Sequence, residues 1–302
     1  MSTTQKTIHY SHCPVCSSER IVNVFPVKDH TVSGSLFEVM ECGHCTLRFT
    51  QDIPTQEHIG AFYKSDEYIS HTNTSKGLVN NLYQRVRNVT MKRKTALLKK
   101  YTGLQKGSLL DVGCGTGSFL HAMQIQGWNV TGLEPDTDAR DLANRLHGLK
   151  VLPSHEIFGL RPDSFNAITM WHVLEHVHQL HEYVAQLKNL LTPAGKLFIA
   201  VPNYTSRDAK TYGKFWAAYD VPRHLYHFSP QSVEVLMKHH GLKVIKLLPM
   251  WFDSFYVGLL SSKYKSGAAK FVSAGLHGLS SNINAVGNVK ECSSVIYVIE
   301  KI

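Results

Sequence analysis

Apolar residues in this chain follow two rhythms, and the change between them divides it. After about residue 105, short apolar runs predict strands at 108–112, 130–134, 149–152, 166–171, 196–201, 243–248 and 294–300. Between them, apolar positions at helical spacing predict helices at 117–127, 137–147, 173–191 and 230–241. Gly127, Gly148, Gly195 and Gly241 punctuate the helix ends or the turns after them. Strand and helix in alternation predict an α/β fold, a doubly wound seven-stranded sheet. The last run, SSVIYVIEKI, has no helix behind it and reads as a reversed edge strand. Two stretches break the rhythm, 202–230 and 249–293. Both fall where such sheets bind ligands, so they are expected to be insertions that cover a substrate.

Before residue 105 the pattern is different. Alternation at 21–25 and 36–40 predicts short strands in a small module spanning 1–50. Residues 51–104 read as a helical connection to a main domain at 105–302. On that connection Leu78, Val79, Leu82, Tyr83, Val86 and Val89 share one side at helical spacing. Charge sharpens the picture here. The chain carries a net charge of +9, and residues 76–106 hold nine Lys or Arg and no Asp or Glu. Such a segment can attract nucleic acid or an anionic ligand, although a solvated helix face has the same composition. Hydrophobic content of 43% and charged content of 18% are those of a globular domain, and no apolar run is long enough to span a bilayer. Residues 251–260 come nearest, but they are too few and contain Asp253. The N-terminal stretch lacks the apolar core of a signal peptide, so a cytoplasmic location is expected.

The run LLDVGCGTGSFL at 109–120 is a buried strand turning through Gly113, Gly115 and Gly117 into a helix. A turn of this kind brings a ligand onto bare backbone beside a helix N-terminus. Its G-x-G-x-G spacing departs from the dinucleotide pattern, with Ser118 where the third glycine would stand. Asp111 would repel a pyrophosphate but suits the ammonium and sulfonium charges of S-adenosylmethionine. Glu134, in VTGLEPD and 19 residues after Gly115, can accept hydrogen bonds from two ribose hydroxyls. Together these favour S-adenosylmethionine over NAD.

Cys13-Pro-Val-Cys16 and Cys42-Gly-His-Cys45, with 25 residues between the pairs, have the layout of a four-thiolate zinc centre. Four thiolates fill a tetrahedral shell, so the zinc is expected to be structural, in a zinc-ribbon-like module, with Gly43 permitting the backbone of the second knuckle.

The motifs LLDVGCGTGSFL, VTGLEPD, FNAITMWHVLEHV and LTPAGKLFIAVPN over residues 105–248 resemble class I S-adenosylmethionine-dependent methyltransferases. With the four cysteines ahead of them, and with AFYKSDEYIS and YDVPRHLYHFSP, the chain resembles a subgroup carrying an N-terminal zinc-binding module. The resemblance implies a small-molecule acceptor, with sugar nucleotides and glycan precursors among the candidates. It also implies that Trp171 and His172 wall the cofactor pocket while Glu175 and His176 face the acceptor. Asn166 stands where the family often has Asp, and the residue meeting adenine is one of Ser154, His155 and Glu156.

For methyl transfer to a hydroxyl or an acidic carbon, a neutral imidazole is a suitable base near pH 7. His224 is the first candidate, with His227 and His176 next; packing or helix capping by any of them is the alternative. Tyr219 and Arg223 are expected to bind the acceptor, Arg223 through a phosphate or carboxylate. His172, Glu175 and His176 also match H-x-x-E-H, but the methyltransferase motif already accounts for their place. Some quinone-pathway O-methyltransferases hold a divalent ion with Glu-x-x-Glu-His here, and His172 replaces the first Glu. Trp251, Phe252, Phe255, Tyr256, Leu259 and Leu260 are expected to pack over the sheet or to pair two subunits in a homodimer; an apolar substrate wall is the alternative. Two rival functions remain. An RNA methyltransferase would use the zinc module and basic helix, but amino-methylation and pyrimidine-methylation motifs are missing. A catalytically inactive cofactor-binding module would keep the loop but not the chemistry.

Overall fold

The computed structural model describes residues 6–63, 78–251, 253–267 and 288–302, and over 78–87 the main chain alone. The chain begins with β1 (Thr7–Ile8), β2 (Ile21–Lys28), β3 (Leu36–Cys42), β4 (Arg48–Thr50) and β5 (Ile53–Pro54), then α1 (Leu78–Thr102). Next come β6 (Ser108–Val112), α2 (Ser118–Ile125), β7 (Asn129–Leu133), α3 (Thr137–His147), β8 (Val151–Leu152), β9 (Phe165–Trp171), α4 (Leu180–Leu190) and β10 (Leu191–Pro202). The chain closes with α5 (Arg207–Tyr212), β11 (Tyr226–His227), α6 (Pro230–His239), β12 (Leu242–Pro249), α7 (Asp253–Ser266) and β13 (Ser294–Lys301).

The main sheet has seven strands in the order β12-β13-β10-β9-β6-β7-β8. β13 runs antiparallel to both its neighbours, while β10, β9, β6, β7 and β8 are parallel. Strand periodicity explains its two covered faces. Leu110, Ile168, Met170, Leu197, Ile199 and Tyr297 point to one side and pack with α4 and α6. Leu109, Ala167, Phe198 and Val298 point to the other, onto α2 and Leu98 of α1. Helix boundaries follow local chemistry. The Asp136 carboxylate caps α3 by accepting from Ala139 N at 2.8 Å, and Gly148 closes it in the left-handed region. Ser229 and Ser232 form a capping box at α6, with Pro230 as its first residue.

Two expectations are corrected. The helix foreseen at 173–191 is split: His172 takes φ 58°, a short 3-10 turn covers Leu174–His176, and α4 starts only at Leu180. A left-handed residue cannot propagate a right-handed helix, and this one turns the chain across the end of the sheet. Of the aromatic stripe, Trp251 packs against the core over the sheet, but α7 lies on the 202–230 segment, where Ser261 Oγ accepts from Ala217 N at 2.8 Å. Val257 and Leu260 join that contact, while Phe255 and Tyr256 are exposed and Phe252 lies outside the described residues. The small module shares a sheet with the rest of the chain. β2, β3 and β4 form an antiparallel sheet whose free edge is taken by β11, pairing Tyr226 with Phe49 and His227 with Arg48. The insertion at 202–230 therefore contributes a strand to the N-terminal module.

The basic connection is partly structural. Leu98 of α1 is fully buried, with Met91, Leu97 and Tyr101 packed alongside. Lys76 and the side chains of Arg85 and Arg87 lie outside the described residues. Leu98→Ala should cost about 2–5 kcal/mol in urea unfolding, because the cavity opens against Phe198 and the sheet. A change below about 0.5 kcal/mol would mean that α1 does not pack there.

Candidate functional site

The Gly-rich turn leaves the C-terminal end of β6. Gly113, Gly115 and Gly117 all have φ between 54° and 75°. A Cβ at Gly113 would lie 2.4 Å from Val173 Cγ2, and one at Gly117 would lie 2.6 Å from Leu149 Cδ1. A Cβ at Gly115 would meet nothing within 4 Å, so the turn is packed beneath and open above its middle glycine. Glu134, at the end of β7, spans the opening: Gly115 N donates to its Oε2 at 2.8 Å and Asp136 N to its Oε1 at 3.1 Å. Burial raises its pKa against these donors.

Asp111 is buried, with its Oδ1 accepting from Thr169 Oγ1 at 2.6 Å. Burial pushes its carboxyl up to about 7, although Thr169 and the Lys94 ammonium pull the other way. Lys94 comes from the basic helix α1, and its Nζ stands 4.1 Å from the centre of the Trp171 ring. Burial brings it down to about 8 against the pull of Asp111 and Asp253. These groups fit S-adenosylmethionine: bare backbone at Gly115, a ribose-competent carboxylate at Glu134, and a buried acid at Asp111 for the ammonium. Asn166 is employed elsewhere, accepting from Ser108 N at 2.9 Å. Ser154, His155 and Glu156 lie on the 3-10 turn after β8.

Val173, which touches Gly113, leads from the cofactor turn into a second cluster. His172 sits between two carboxylates, 3.4 Å from Glu175 and 3.2 Å from Asp253. Burial opposes its charge, but Asp253 and Glu175 outweigh burial and lift its pKa to about 10. Glu175 is fully buried, and neither carboxylate oxygen has a hydrogen-bond partner of good geometry. Asp253, on α7, accepts from Ser294 Oγ.

Beside Glu175, the rings of His176 and His224 meet edge to face at 4.6 Å. His176 Nδ1 lies 2.9 Å from the Arg223 carbonyl, and His224 Nδ1 lies 2.8 Å from the Ala218 carbonyl. A carbonyl only accepts, so each Nδ1 carries a proton, and in the neutral ring it is Nε2 that holds the lone pair. Tyr63 Oη also approaches His176 Nδ1, at 3.0 Å. Burial, and then the closeness of the His224 ring, lower the His176 pKa to about 4, so it is neutral at pH 7. Glu175, His176 and His224 each place one ligand atom within 4.8 Å of the others, a set able to hold a divalent cation.

The remaining acceptor-side candidates go elsewhere. His227 is buried on the module side, with Nε2 at 3.1 Å from Thr50 Oγ1 and its ring against Tyr219. Burial holds its pKa well below the usual histidine range. Tyr219 is buried, accepts from Arg48 Nη1 at 2.8 Å, and lines a cavity of about 340 Å³ with Phe25, Tyr204 and Lys210. Arg223, expected to grip an anionic acceptor, is only 1% exposed. Its guanidinium donates to both oxygens of Asp220 at 3.1 and 2.6 Å, to Asp29 at 3.1 Å, and to the Phe62 carbonyl at 2.8 Å. It has no free fork for a ligand.

The four cysteines converge. Cys13 and Cys45 Sγ are 3.5 Å apart, Cys16 and Cys42 Sγ 3.6 Å, close to the roughly 3.8 Å edge of a zinc–thiolate tetrahedron. The two knuckles match. Val15 N faces Cys13 Sγ at 3.5 Å and His44 N faces Cys42 Sγ at 3.4 Å. Each knuckle is followed by a left-handed residue, Ser17 or Thr46. The unusual backbone expected at Gly43 is thus carried by Thr46. The cysteine donor set fits a closed structural zinc centre.

Sheet order, reversed last strand and Gly turn define the class I S-adenosylmethionine-dependent methyltransferase architecture. A methyltransferase domain family model matches residues 83–247, more than half of the chain, and the chain belongs to that family. Among curated relatives, a ubiquinone biosynthesis O-methyltransferase of Photobacterium profundum is 32% identical over 118 residues, 36% of this chain and 48% of that protein. Its counterpart in Chromobacterium violaceum is 25% identical over 173 residues, covering 52% of this chain and 73% of that protein. The chain spans about half the length of the first curated relatives it matches. Among solved structures, the 1,6-didemethyltoxoflavin-N1-methyltransferase of Burkholderia thailandensis aligns with TM-score 0.51 and 14% identity. That alignment covers 92% of this chain and 99% of the other.

Tyr63, Lys94 and Asp253 escaped the sequence reading. Asp253 had a signal, as the one charge in an apolar run; Lys94 had none among so many neighbouring cations. The raised pKa of His172 gives a pH prediction. Its folded value, about 10, lies above the free value of 6.5. The stability it contributes is complete below pH 6.5 and drains away as pH climbs toward 10. Imidazole NMR should find His172 protonated at pH 8 in the wild type and largely neutral in Asp253→Asn. A wild-type ring already neutral at pH 8 would contradict the pairing.

Proposed function

We propose that the protein transfers the methyl group of S-adenosylmethionine to an oxygen or carbon of a small-molecule acceptor. The reading rests on one juxtaposition: the Gly turn touches, through Val173, the segment that carries His176 and meets His224. The cofactor would be held by Asp111, Gly113, Gly115, Gly117 and Glu134, with Trp171 and His172 beside them; it supplies an electrophilic methyl on a sulfonium. The chain's own residues do the rest. Methyl transfer needs the acceptor in line with the carbon–sulfur bond, so alignment carries much of the rate. His224 is our first choice for the base, with His176 beside it. Each has Nδ1 tied to a carbonyl and Nε2 able to take the acceptor's proton. The curated relatives are O-methyltransferases by name, which favours oxygen as the accepting atom. A hydroxylated sugar nucleotide or glycan precursor is compatible with this chemistry. RNA is less favoured, because Leu98 packs into the core and Lys94 is half-buried over the Trp171 ring. Among the described residues, no helix is long and apolar enough to cross a membrane.

A second reading has its own observation, the convergence of Glu175, His176 and His224. A divalent ion held there would lower the pKa of an acceptor hydroxyl. The two readings part on metal addition. Enhancement by magnesium or manganese that disappears in Glu175→Gln supports the ion; indifference supports the imidazole base.

The domain division we favour is a zinc-binding module over 1–50, a helical connection over 51–104, and the methyltransferase domain from 105, with acceptor-side insertions at 202–230 and 249–293. About one zinc per chain should be found by elemental analysis, and none after replacing Cys13 and Cys42 with serine. A metal-free native protein would refute the zinc.

The cofactor and acceptor halves should separate in variants. Glu134→Ala should weaken S-adenosylhomocysteine by about 1.5–3 kcal/mol in calorimetry. With an acceptor identified by screening, His224→Ala should slow turnover by about 10²–10⁴-fold and leave that affinity nearly unchanged. Wild-type protein that fails to bind S-adenosylhomocysteine would end the proposal.

A further inference from the structure

The four-cysteine module meets the acceptor side at many points. Pro14 of the first knuckle accepts from His181 Nε2 at 3.0 Å. At the second knuckle, the Thr46 hydroxyl meets Ser229 Oγ at 2.6 Å, and the Thr46 carbonyl accepts from Tyr204 Oη at 2.6 Å. Past the knuckles, the module reaches the short segment that carries His224.

Asp29 closes the turn after β2. Its carboxylate accepts from the main-chain N–H groups of Thr31, Val32 and Ser33 and from Ser33 Oγ. The same carboxylate, fully buried, takes the Arg223 guanidinium at 3.1 Å. Arg223 in turn presents its carbonyl to His176 Nδ1 at 2.9 Å. Thr50, at the end of β4, makes the parallel link. Its hydroxyl donates to the His224 carbonyl at 2.8 Å, and its N–H donates to the Leu225 carbonyl at 3.0 Å. From the other side, Leu225 N donates to the Glu175 carbonyl at 2.8 Å. Residues 223–225 are thus pinned between the module and the turn that bears Glu175 and His176.

We infer that Asp29 and Thr50 are positioning residues of the acceptor site, through which the four-cysteine module sets the His176 and His224 imidazoles. Neither touches the cofactor turn. Asp29 acts through the Arg223 side chain and Thr50 through the carbonyls of His224 and Leu225; the main chain of 223–225 fixes where His224 stands and which ring nitrogen of His176 is protonated. The inference deepens the proposed function and rests on it. It gives the N-terminal module a chemical task beyond stability: its folding assembles the acceptor half, while the cofactor turn and Glu134 stand at the ends of β6 and β7 in the seven-stranded sheet.

The test uses full-length, zinc-loaded protein with ¹⁵N-labelled histidine, and S-adenosylhomocysteine as the probe ligand. Long-range ¹H–¹⁵N spectra should assign wild-type His176 and His224 as Nδ1–H tautomers. Asp29→Asn keeps the turn's shape but removes the charge facing Arg223; it should broaden or shift the His176 signals. Thr50→Val should do the same for His224. S-adenosylhomocysteine affinity should change less than about twofold in both, as expected for distant sites. Asp29→Glu should restore part of the wild-type His176 signature. Folded Thr50→Val with unmoved His224 signals would overturn the inference even if Asp29→Asn fails to fold. So would loss of cofactor affinity in step with the spectral change, which is the mark of general loosening. Wild-type protein that binds no S-adenosylhomocysteine would fail the underlying reading of function as well. Normal binding with unmoved imidazoles would fail the positioning role alone.

Discussion

The buried guanidinium of Arg223 is the constraint around which the acceptor half is organised. A charge taken fully out of water costs several kcal/mol unless its donors and its charge are met nearly completely. Here they are met by groups far apart in sequence: both oxygens of Asp220, one of Asp29 and the carbonyl of Phe62. The fold must therefore close the β2–β3 turn, the 3-10 turn at Ile59–Tyr63 and the 202–230 insertion onto one point. A hydrophobic residue at 223 would remove that demand, and with it the reason for the three segments to share one register.

The cofactor half was legible because its residues are contiguous. Asp111 through Gly117 form one turn at one strand end, and Glu134 ends the adjacent strand, which the parallel pairing of β6 with β7 brings alongside. Spacing alone specifies that geometry once the sheet order is known. The acceptor half is different. His176 and Arg223 are 47 residues apart, and Tyr63 and His176 are 113 apart. No periodicity along the chain links such positions; they meet only through tertiary contacts such as the bond from Leu225 N to the Glu175 carbonyl. Arg223 shows the same limit. An arginine among aromatics reads as a ligand grip, but its partners Asp29 and Phe62 lie 194 and 161 residues away in sequence.

Electrostatics divides the site along the same line. Toward the cofactor, Lys94, Asp111, His172 and Asp253 form an alternating set in which each charge depends on a neighbour: Lys94 is supported by Asp111 and Asp253, and His172 by Asp253. Toward the acceptor, His176 and His227 are driven neutral by burial. Glu175 sits at the boundary, ionised because of His172 and still lacking hydrogen bonds of its own. A charged, paired environment suits a ligand that brings its own ammonium and carboxylate. A neutral imidazole environment suits proton removal, since a ring already protonated cannot accept.

The α7 helix joins the two sides. It supplies Asp253 to His172 and packs its Ser261 against Ala217, one residue before the carbonyl that orients His224. Asp253 opens α7, and the cost of drawing its charge partly out of water is offset by the pairing with His172 only if α7 lies where it does. The same placement holds the 3-10 turn Ala217–Tyr219 in register, and the Ala218 carbonyl selects the Nδ1–H tautomer of His224. The ion pair beside the cofactor and the tautomer beside the acceptor thus depend on a single helix position, which is why a protein of this design needs its second insertion as well as its first.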